Sequence, residues 1–173
     1  PAKAAAYVKE SPVGYFDGTT TEASHILLMV KPYDPPAEHE EARRKLAELA
    51  KRIKSGELTF EEAAREVSEC PSSAQGGKLG SFLFHQMVPG FSEKAFDMEV
   101  GQVSGVVPSR FGYHLIHVTG RTGGSGEVAE DAVGIAANVL LSKLNTRILR
   151  QAARKYPVKI LIGPDAEEDP DDQ

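Results

Sequence analysis

Two histidines in short apolar runs are the first residues whose type and position could do chemistry. His25 lies in the run SHILL and His114 in the run YHLIHV, both typical of β-strands. Side chains alternate along a strand, so each imidazole projects from an otherwise apolar face. A buried imidazole needs a hydrogen-bond partner, and two neighbouring strands would let the rings satisfy each other. From spacing alone, a purely structural histidine pair is the simpler interpretation, and a reactive pair is the alternative.

The chain has one cysteine, Cys70, in the stretch SECPSSAQGGKLG. Pro71 and the glycines that follow indicate a rigid loop rather than a helix interior. A thiol beside histidines would suit nucleophilic catalysis, but no oxyanion-hole motif or orienting Asn or Asp can be identified. One cysteine excludes a disulfide within the chain and argues against a zinc site, so we expect no metal and no cofactor. A free thiol fits a reducing compartment, and we expect a cytoplasmic protein, with a processed exported or organellar chain as the alternative.

A third feature is the segment HQMVPGF, which places Met87 and Phe91 on either side of Pro89. In a helix these apolar side chains would belong to the core. In a loop that contains Pro and Gly they can line a small apolar pocket. Such a pocket has about the shape of a proline ring.

The charge distribution limits the classes of partner. The net charge is −5, but six acidic residues crowd the end of the chain, and the remaining 19 acids face 20 bases. We therefore expect a nearly neutral folded part and an acidic, disordered tail at 163–173. No basic stripe indicates nucleic acid as a partner, and no apolar run reaches the length of about 18 residues that spans a membrane.

The elements that must position these residues form an α+β pattern. Apolar spacing predicts a helix over 37–54, and Thr59 with Glu62 forms a capping-box pattern that starts a second helix ending near Val67. A shorter helix is predicted over 91–98. Four strands are predicted over 24–30, 79–83, 103–107 and 113–119, with a hairpin turn at 109–112.

The C-terminal part is predicted to be one long helix over 128–155, followed by a strand over 158–162. Its apolar stripe would pack on the body of the protein, with a partner helix or self-association as the alternative. The stripe consists of Val133, Ala137, Leu140, Leu144 and Ile148. We divide the chain into an N-terminal arm (1–22), a central domain (23–121), a flexible connection (120–126), a C-terminal extension (127–162) and the tail.

Four ordered blocks of the central domain resemble the signatures of parvulin-type peptidyl-prolyl cis-trans isomerases, or rotamases. The blocks are SHILL, SGELTFEEAAREVSECPSSAQGGKLG, QMVPGFSEKAF and GQVSGVVPSRFGYHLIHV, across residues 24–120. Any one of them would be a weak signal, but their order and spacing together are specific. His85 and Lys78 depart from the common family pattern, and neither belongs to the pocket that the resemblance implies.

The resemblance implies a four-stranded antiparallel sheet wrapped by helices, and a site for X-Pro bonds. His25 and His114 would lie side by side on the central strands, with Cys70 at the edge of the site and Ser109 at a position where the family often has Thr. We expect these four residues to form one hydrogen-bonded network. The proline ring would be bound by Leu79, Met87 and Phe91, and Gln86 would offer its backbone to the substrate. Proline-containing polypeptides would be the partners.

Two further expectations concern substrates. Recognition of phosphoserine needs an Arg/Lys cluster beside the site, whereas the segment KPYDPPAEHEE after the first strand is net acidic. We therefore expect an isomerase that does not require phosphate. The main alternative is a peptide-binding folding chaperone in which catalysis is secondary or absent, because the two flanks faintly resemble those of larger bacterial foldases of this family.

Overall fold

The computed structural model describes residues 2–155, without the side chains of residues 150, 153 and 154. Its helices are α1 (Ala2–Glu10), α2 (Pro36–Lys54), α3 (Phe60–Val67), α4 (Pro89–Asp97) and α5 (Ala132–Lys155). Its strands are β1 (Thr20–Met29), β2 (Lys78–Leu83), β3 (Val107–Pro108) and β4 (Gly112–Thr122). Short 3₁₀ turns cover Pro71–Gln75 and Phe84–Gln86.

The four strands form one antiparallel sheet in the order β2-β1-β4-β3. The central strands β1 and β4 pair so that His25 lies opposite Ile116, and Leu27 lies opposite His114. The two histidines are therefore diagonal neighbours on one face of the sheet, within reach of each other. The α+β class and the four-stranded antiparallel sheet that the sequence predicted are confirmed.

Both faces of the sheet are covered. Side chains alternate along β1 and β4, so those on one face belong to one hydrophobic cluster and those on the other face belong to a second cluster. Ile26 and Leu115 pack with Leu46 and Phe60, under α2 and α3. The opposite face carries a second cluster of mainly aromatic and aliphatic residues, under α1, α4 and α5: Phe82, Phe84, Phe91, Phe96, Ile116 and Val118. The histidine pair belongs to this second face.

Local signals explain the helices on the first face. Leu46 and Leu49 lie on the buried side of α2, which ends at Lys54. Its C-cap Ser55 is followed by Gly56 in the left-handed conformation (φ +78°). At the start of α3, the Thr59 hydroxyl accepts from the Glu62 backbone N–H, and the Glu62 carboxylate accepts from the Thr59 N–H at 3.0 Å. The predicted capping box is confirmed.

The strand predicted over 103–107 is wrong in its extent. Only Val107–Pro108 pairs with β4, and Val103 contributes one isolated bridge to His117. Between them the Ser104 hydroxyl accepts from the Ile116 N–H at 2.9 Å and donates to the Gly105 carbonyl at 2.7 Å. The Ser104 N–H still donates to the Ile116 carbonyl at 2.8 Å, so the hydroxyl replaces one acceptor of a regular ladder, a competition typical of serine.

The segment 120–126, predicted to be a flexible connection, is instead held against the chain that precedes β1. β4 continues to Thr122, the Gly124 N–H donates to the Thr19 hydroxyl at 3.0 Å, and the Ser125 N–H donates to the Asp17 carbonyl at 3.0 Å. A Cβ on Gly124 would lie 2.1 Å from that carbonyl oxygen, so the close approach requires glycine. The proposed domain boundaries remain a prediction; one after residue 22 would fall within β1.

The predicted apolar stripe of α5 is wrong except at Leu140, which packs against the second cluster. Val133, Leu144 and Ile148 are 42–50% exposed, and Ala137 is exposed too. The helix, which begins at Ala132 rather than at 128, buries its small side chains Ala132 and Ala136 together with Val139. Small residues let the helix approach α1 and α4 closely, and this shape match outweighs the greater apolarity of the larger residues. The predicted strand over 158–162 and the tail lie outside the described residues.

Within residues 2–155, no helix combines the length and apolarity needed to cross a membrane.

Candidate active site

The predicted site residues converge on one cavity of about 680 Å³ on the α4/α5 face of the sheet. Its volume falls in the range typical of small-molecule and peptide pockets. Seven of the eight predicted residues line this cavity: His25, Cys70, Leu79, Gln86, Met87, Phe91 and His114. The eighth, Ser109, lies in an adjoining groove and contacts the cavity through His114.

The two imidazoles at the sheet surface form a hydrogen-bonded pair. Nδ1 of His25 and Nδ1 of His114 are 3.3 Å apart, and the rings are nearly parallel, with centroids 5.5 Å apart. Nε2 of His114 lies 2.7 Å from the Ser109 hydroxyl, which accepts from the Phe111 N–H at 3.0 Å. In the neutral pair each ring carries one proton. One of the two facing Nδ1 atoms carries the proton of its ring and donates it to the other Nδ1, which accepts.

Burial keeps both imidazoles uncharged near neutral pH. It lowers the pKa of His25 to about 4. It also lowers the pKa of His114 to about 3, with repulsion from His25 as a second cause. Nε2 of His25 is buried and finds no hydrogen-bond partner among the described residues. A buried polar atom without a partner is uncommon in a folded protein and often marks a functional site.

The cavity wall beside the imidazoles is an apolar notch formed by Leu79, Met87 and Phe91. Leu79 comes from β2, Met87 from the extended residues before α4, and Phe91 from the first turn of α4. Phe91 is 2% exposed and stands edge-on to both imidazoles, 5.7 Å from His25 and 5.5 Å from His114 between centroids. Phe91 therefore connects the apolar notch to the polar pair.

Cys70 reaches the cavity from a loop that is fastened to β1. The loop's Gly77 accepts from the His25 N–H at 2.8 Å, and the Glu69 N–H donates to the Leu27 carbonyl at 2.9 Å. Gly77 has a φ of +81°, and a Cβ there would lie 2.3 Å from the His25 carbonyl oxygen. A glycine is thus required for the loop to dock beside the histidine strand.

The thiol of Cys70 is half-buried and stands apart from the hydrogen-bonded chain of Ser109, His114 and His25. Among the bonds formed within residues 2–155, none joins the sulfur to an imidazole. The expectation that Cys70 belongs to the same hydrogen-bonded network is therefore wrong. The separation also argues against a Cys–His nucleophile, which needs the thiol within hydrogen-bond reach of its base.

Gln86 lines the cavity and uses its side chain for a local hydrogen bond. Its Oε1 accepts from the Leu83 N–H at 2.7 Å and closes the turn that leads from β2 to α4.

Helix α5 contributes a cavity wall that the sequence analysis did not identify. Ile135, Asn138, Val139 and Ser142 line the cavity at helical spacings of three and four. This spacing is present in the sequence. The prediction instead placed the larger apolar residues of a neighbouring helix face against the body of the protein. His85, Arg110 and Phe111 also line the cavity without having been assigned to it. No group of three or more potential metal ligands occurs in the part of the chain that the structure describes.

Comparison with known proteins shows a family match that covers more than half of the chain. Residues 25–120 match the family model described as rotamase, PPIC-type PPIASE domain. The Chaperone SurA proteins of Salmonella choleraesuis and Escherichia coli O157:H7 are each 45% identical over 101 residues. That alignment covers 58% of this chain and 23% of each relative. The chain thus spans about a quarter of the length of these curated relatives.

Solved structures show the same architecture. The peptidyl-prolyl isomerase ESS1 from Candida albicans aligns with a TM-score of 0.54 and 32% identity, over 69% of this chain and 72% of that one. The peptidylprolyl isomerase PrsA from Bacillus anthracis aligns with a TM-score of 0.55 and 27% identity, over 92% of this chain and 69% of that one.

Proposed function

The chain belongs to the PPIC-type, or parvulin-type, family of peptidyl-prolyl cis-trans isomerases, and we propose that it accelerates X-Pro rotation in polypeptides without forming a covalent bond. One observation carries the proposal: an apolar notch lies directly beside two buried, uncharged imidazoles. The family match supports the reaction class, and the geometry suggests how this chain performs it.

The reaction needs stabilisation of a twisted amide. Resonance holds the X-Pro bond planar with a barrier of about 18–20 kcal/mol, and unaided rotation takes tens to hundreds of seconds. Twisting the bond localises the lone pair on the proline nitrogen and weakens the carbonyl dipole. An enzyme lowers the barrier when its groups match the twisted form better than either planar form.

The notch of Leu79, Met87 and Phe91 would hold the pyrrolidine ring while the preceding carbonyl rotates. The notch is apolar, so binding the ring removes water from the amide and strengthens local dipoles. The imidazole pair would then present fixed N–H and lone-pair dipoles to the rotating group, with no net charge. Nε2 of His25 is the polar atom of the pair that finds no partner within residues 2–155.

Ser109 and Cys70 would act by setting the environment of the pair. The Ser109 hydroxyl bonds Nε2 of His114 and so orients that ring and its proton. Cys70 lines the cavity without bonding either ring, and we assign it a role in local polarity rather than in attack on the substrate.

We further propose that phosphate is not required. The segment that follows β1 bears several carboxylates, and the side chain of Asp34 is already bonded to the Lys31 N–H at 2.6 Å. This segment therefore offers no cluster of cations to a phosphoserine before the proline. Unmodified peptides are expected to be substrates.

The test is an NMR exchange assay on a panel of unmodified X-Pro peptides. We expect exchange between cis and trans peptide to accelerate in proportion to enzyme concentration. The matched variant is Met87→Ala, which removes one wall of the notch and is expected to slow exchange. No acceleration for any peptide would refute the isomerase proposal, and strict dependence on a phosphorylated residue would refute the second part.

A folding chaperone is the second candidate, favoured by the exposed apolar face of α5. Leu141, Leu144, Ile148 and Leu149 are 42–56% exposed on this helix, which also lines the cavity. Such a surface can bind unfolded chains or a second copy of the protein. Suppression of client aggregation that is lost in Leu144→Gln/Ile148→Gln, while exchange rates persist, would support the chaperone role. Concentration-dependent sedimentation that the same variant abolishes would indicate self-association.

A further inference from the structure

A second groove, of about 370 Å³, continues from the proline cavity between α4, α5 and the β3–β4 turn. Four residues line both spaces: Val88, Pro89, Arg110 and Ser142. A polypeptide with its proline in the notch therefore has a path into this groove in one chain direction.

The groove carries an excess of positive charge. Lys143 forms an ion pair with Glu93 and also donates to the Tyr7 hydroxyl, so its charge is already compensated. Arg110 and Arg147 also line the groove, and neither pairs with a carboxylate among the described residues. Arg110 lies over the ring of Phe111, 4.7 Å from its centroid, at the point where groove and cavity meet.

The length of the groove sets where a charged substrate residue would fall. Along α5 it runs from Ser142 to Gln151, which is about 13 Å at 1.5 Å per residue. An extended peptide covers that distance with about four residues. Arg147 lies about 7.5 Å along the helix from Ser142, which corresponds to about two extended residues beyond the mouth of the cavity.

We propose that this groove is a subsite for an aspartate or glutamate side chain of the substrate, two or three residues from the isomerised proline. The inference rests on the proposed isomerase function and specifies its substrate class. A guanidinium presents a planar fork of donors that matches a carboxylate. Arg110 and Arg147, which pair with no carboxylate within residues 2–155, both line the path of the peptide.

The expected effect is moderate because both guanidiniums are exposed to solvent. Ion pairs of this kind change affinity about two- to fivefold at low salt. Salt at about 0.5 M shortens the screening length to a few ångströms and is expected to remove most of the effect.

The experiment uses the full chain and ten-residue peptides with one central proline, acetylated and amidated so that no terminal carboxylate competes. A single Glu is moved through four positions on each side of the proline, with Gln at the same position as the neutral control. For each pair, kcat/KM is measured by NMR exchange and Kd by chemical-shift titration. We expect kcat/KM to be about two to five times higher for the Glu peptide than for the Gln peptide when that residue lies two or three positions from the proline on one side. On the other side of the proline the ratio should be about one.

Three variants identify the residues responsible. In Arg147→Gln the ratio should fall towards one, and in Arg147→Glu a Lys peptide should replace the Glu peptide as the preferred partner. Arg44→Gln makes the same chemical change on the exposed side of α2, and the ratio should survive there.

The outcomes separate this inference from the function on which it rests. Normal exchange with a ratio of one at every position would overturn the subsite and leave the isomerase standing. A ratio that persists when Arg147→Gln is combined with Arg110→Gln would overturn the assignment to this groove. Absence of exchange for all peptides would refute the isomerase, and the Kd values would still report whether the groove prefers carboxylates.

Discussion

Lowering the pH from 7 to 5 should destabilise the folded protein, because its buried histidine pair resists protonation. An unfolded chain takes up a proton on each histidine below a pKa of about 6.5. In the folded protein burial lowers the pKa of His25 to about 4 and that of His114 to about 3. The unfolded state therefore binds more protons throughout this window, and stability falls as the pH falls.

The size of the effect follows from the width of the window. Each proton held only by the unfolded state changes stability by about 1.36 kcal/mol per pH unit. Between pH 6.5 and 5 neither ring protonates appreciably in the folded state, so each contributes about 2 kcal/mol and the pair about 4 kcal/mol. Carboxylates do not confound this range strongly, because they remain largely ionised above pH 5.

The assay is urea unfolding of wild type and His114→Gln at pH 7, 6 and 5, and the informative quantity is the difference between their pH dependences. Proton uptake by other groups is common to both proteins and cancels. We expect the loss of stability from pH 7 to 5 to be about 2 kcal/mol smaller in the variant. Leu46→Ala controls for general destabilisation, since it creates a cavity on the opposite face and should keep the wild-type pH dependence.

Parallel pH dependences in wild type and His114→Gln would contradict this reasoning. That result would mean that His114 titrates in the folded protein much as it does in the unfolded chain. Burial would then not protect the imidazole pair from protonation, and about a quarter of His114 would carry a charge at pH 7.

Three other predictions test the site and its support. Cys70→Asp should keep much of the isomerase activity and Cys70→Ala should lose part of it; a trapped acyl-enzyme, or complete loss in Cys70→Asp, would show instead that the thiol attacks the substrate. Met87→Ala should lower kcat/KM about five- to tenfold, because a partly buried side chain contributes about 1–1.5 kcal/mol to ring binding; an unchanged value would remove Met87 from the notch. Thr59→Ala should cost about 1 kcal/mol in urea unfolding through loss of the α3 cap, with little change in exchange rate, and a fully stable variant would contradict the role of the capping box.

Features set by residues close together in sequence were predictable. The capping box at Thr59 and Glu62 needs only a four-residue pattern, and α2 ends where Gly56 permits a left-handed turn. The alternation along β1 and β4 was enough to place both histidines on apolar faces. The ordered family blocks then indicated the sheet and the set of residues that lines the cavity.

Features that depend on distant contacts were predicted wrongly or missed. Ser104 exchanges hydrogen bonds with Ile116, and these long-range bonds shorten the expected third strand to two residues. The glycine-rich segment around Gly124 looked flexible in isolation, but its close approach to Asp17 makes it part of the framework.

The sequence by itself determined the fold class and the strand positions of His25 and His114, because periodicity and local capping decide these, and the ordered family blocks indicated the apolar residues of the notch. Only the tertiary structure decided which face of α5 meets the body. Ala132 and Ala136 fit closely against neighbouring helices, and the same rotation turns Asn138 and Ser142 to the cavity. Steric fit between surfaces depends on both partners at once, and no single segment of sequence contains that information.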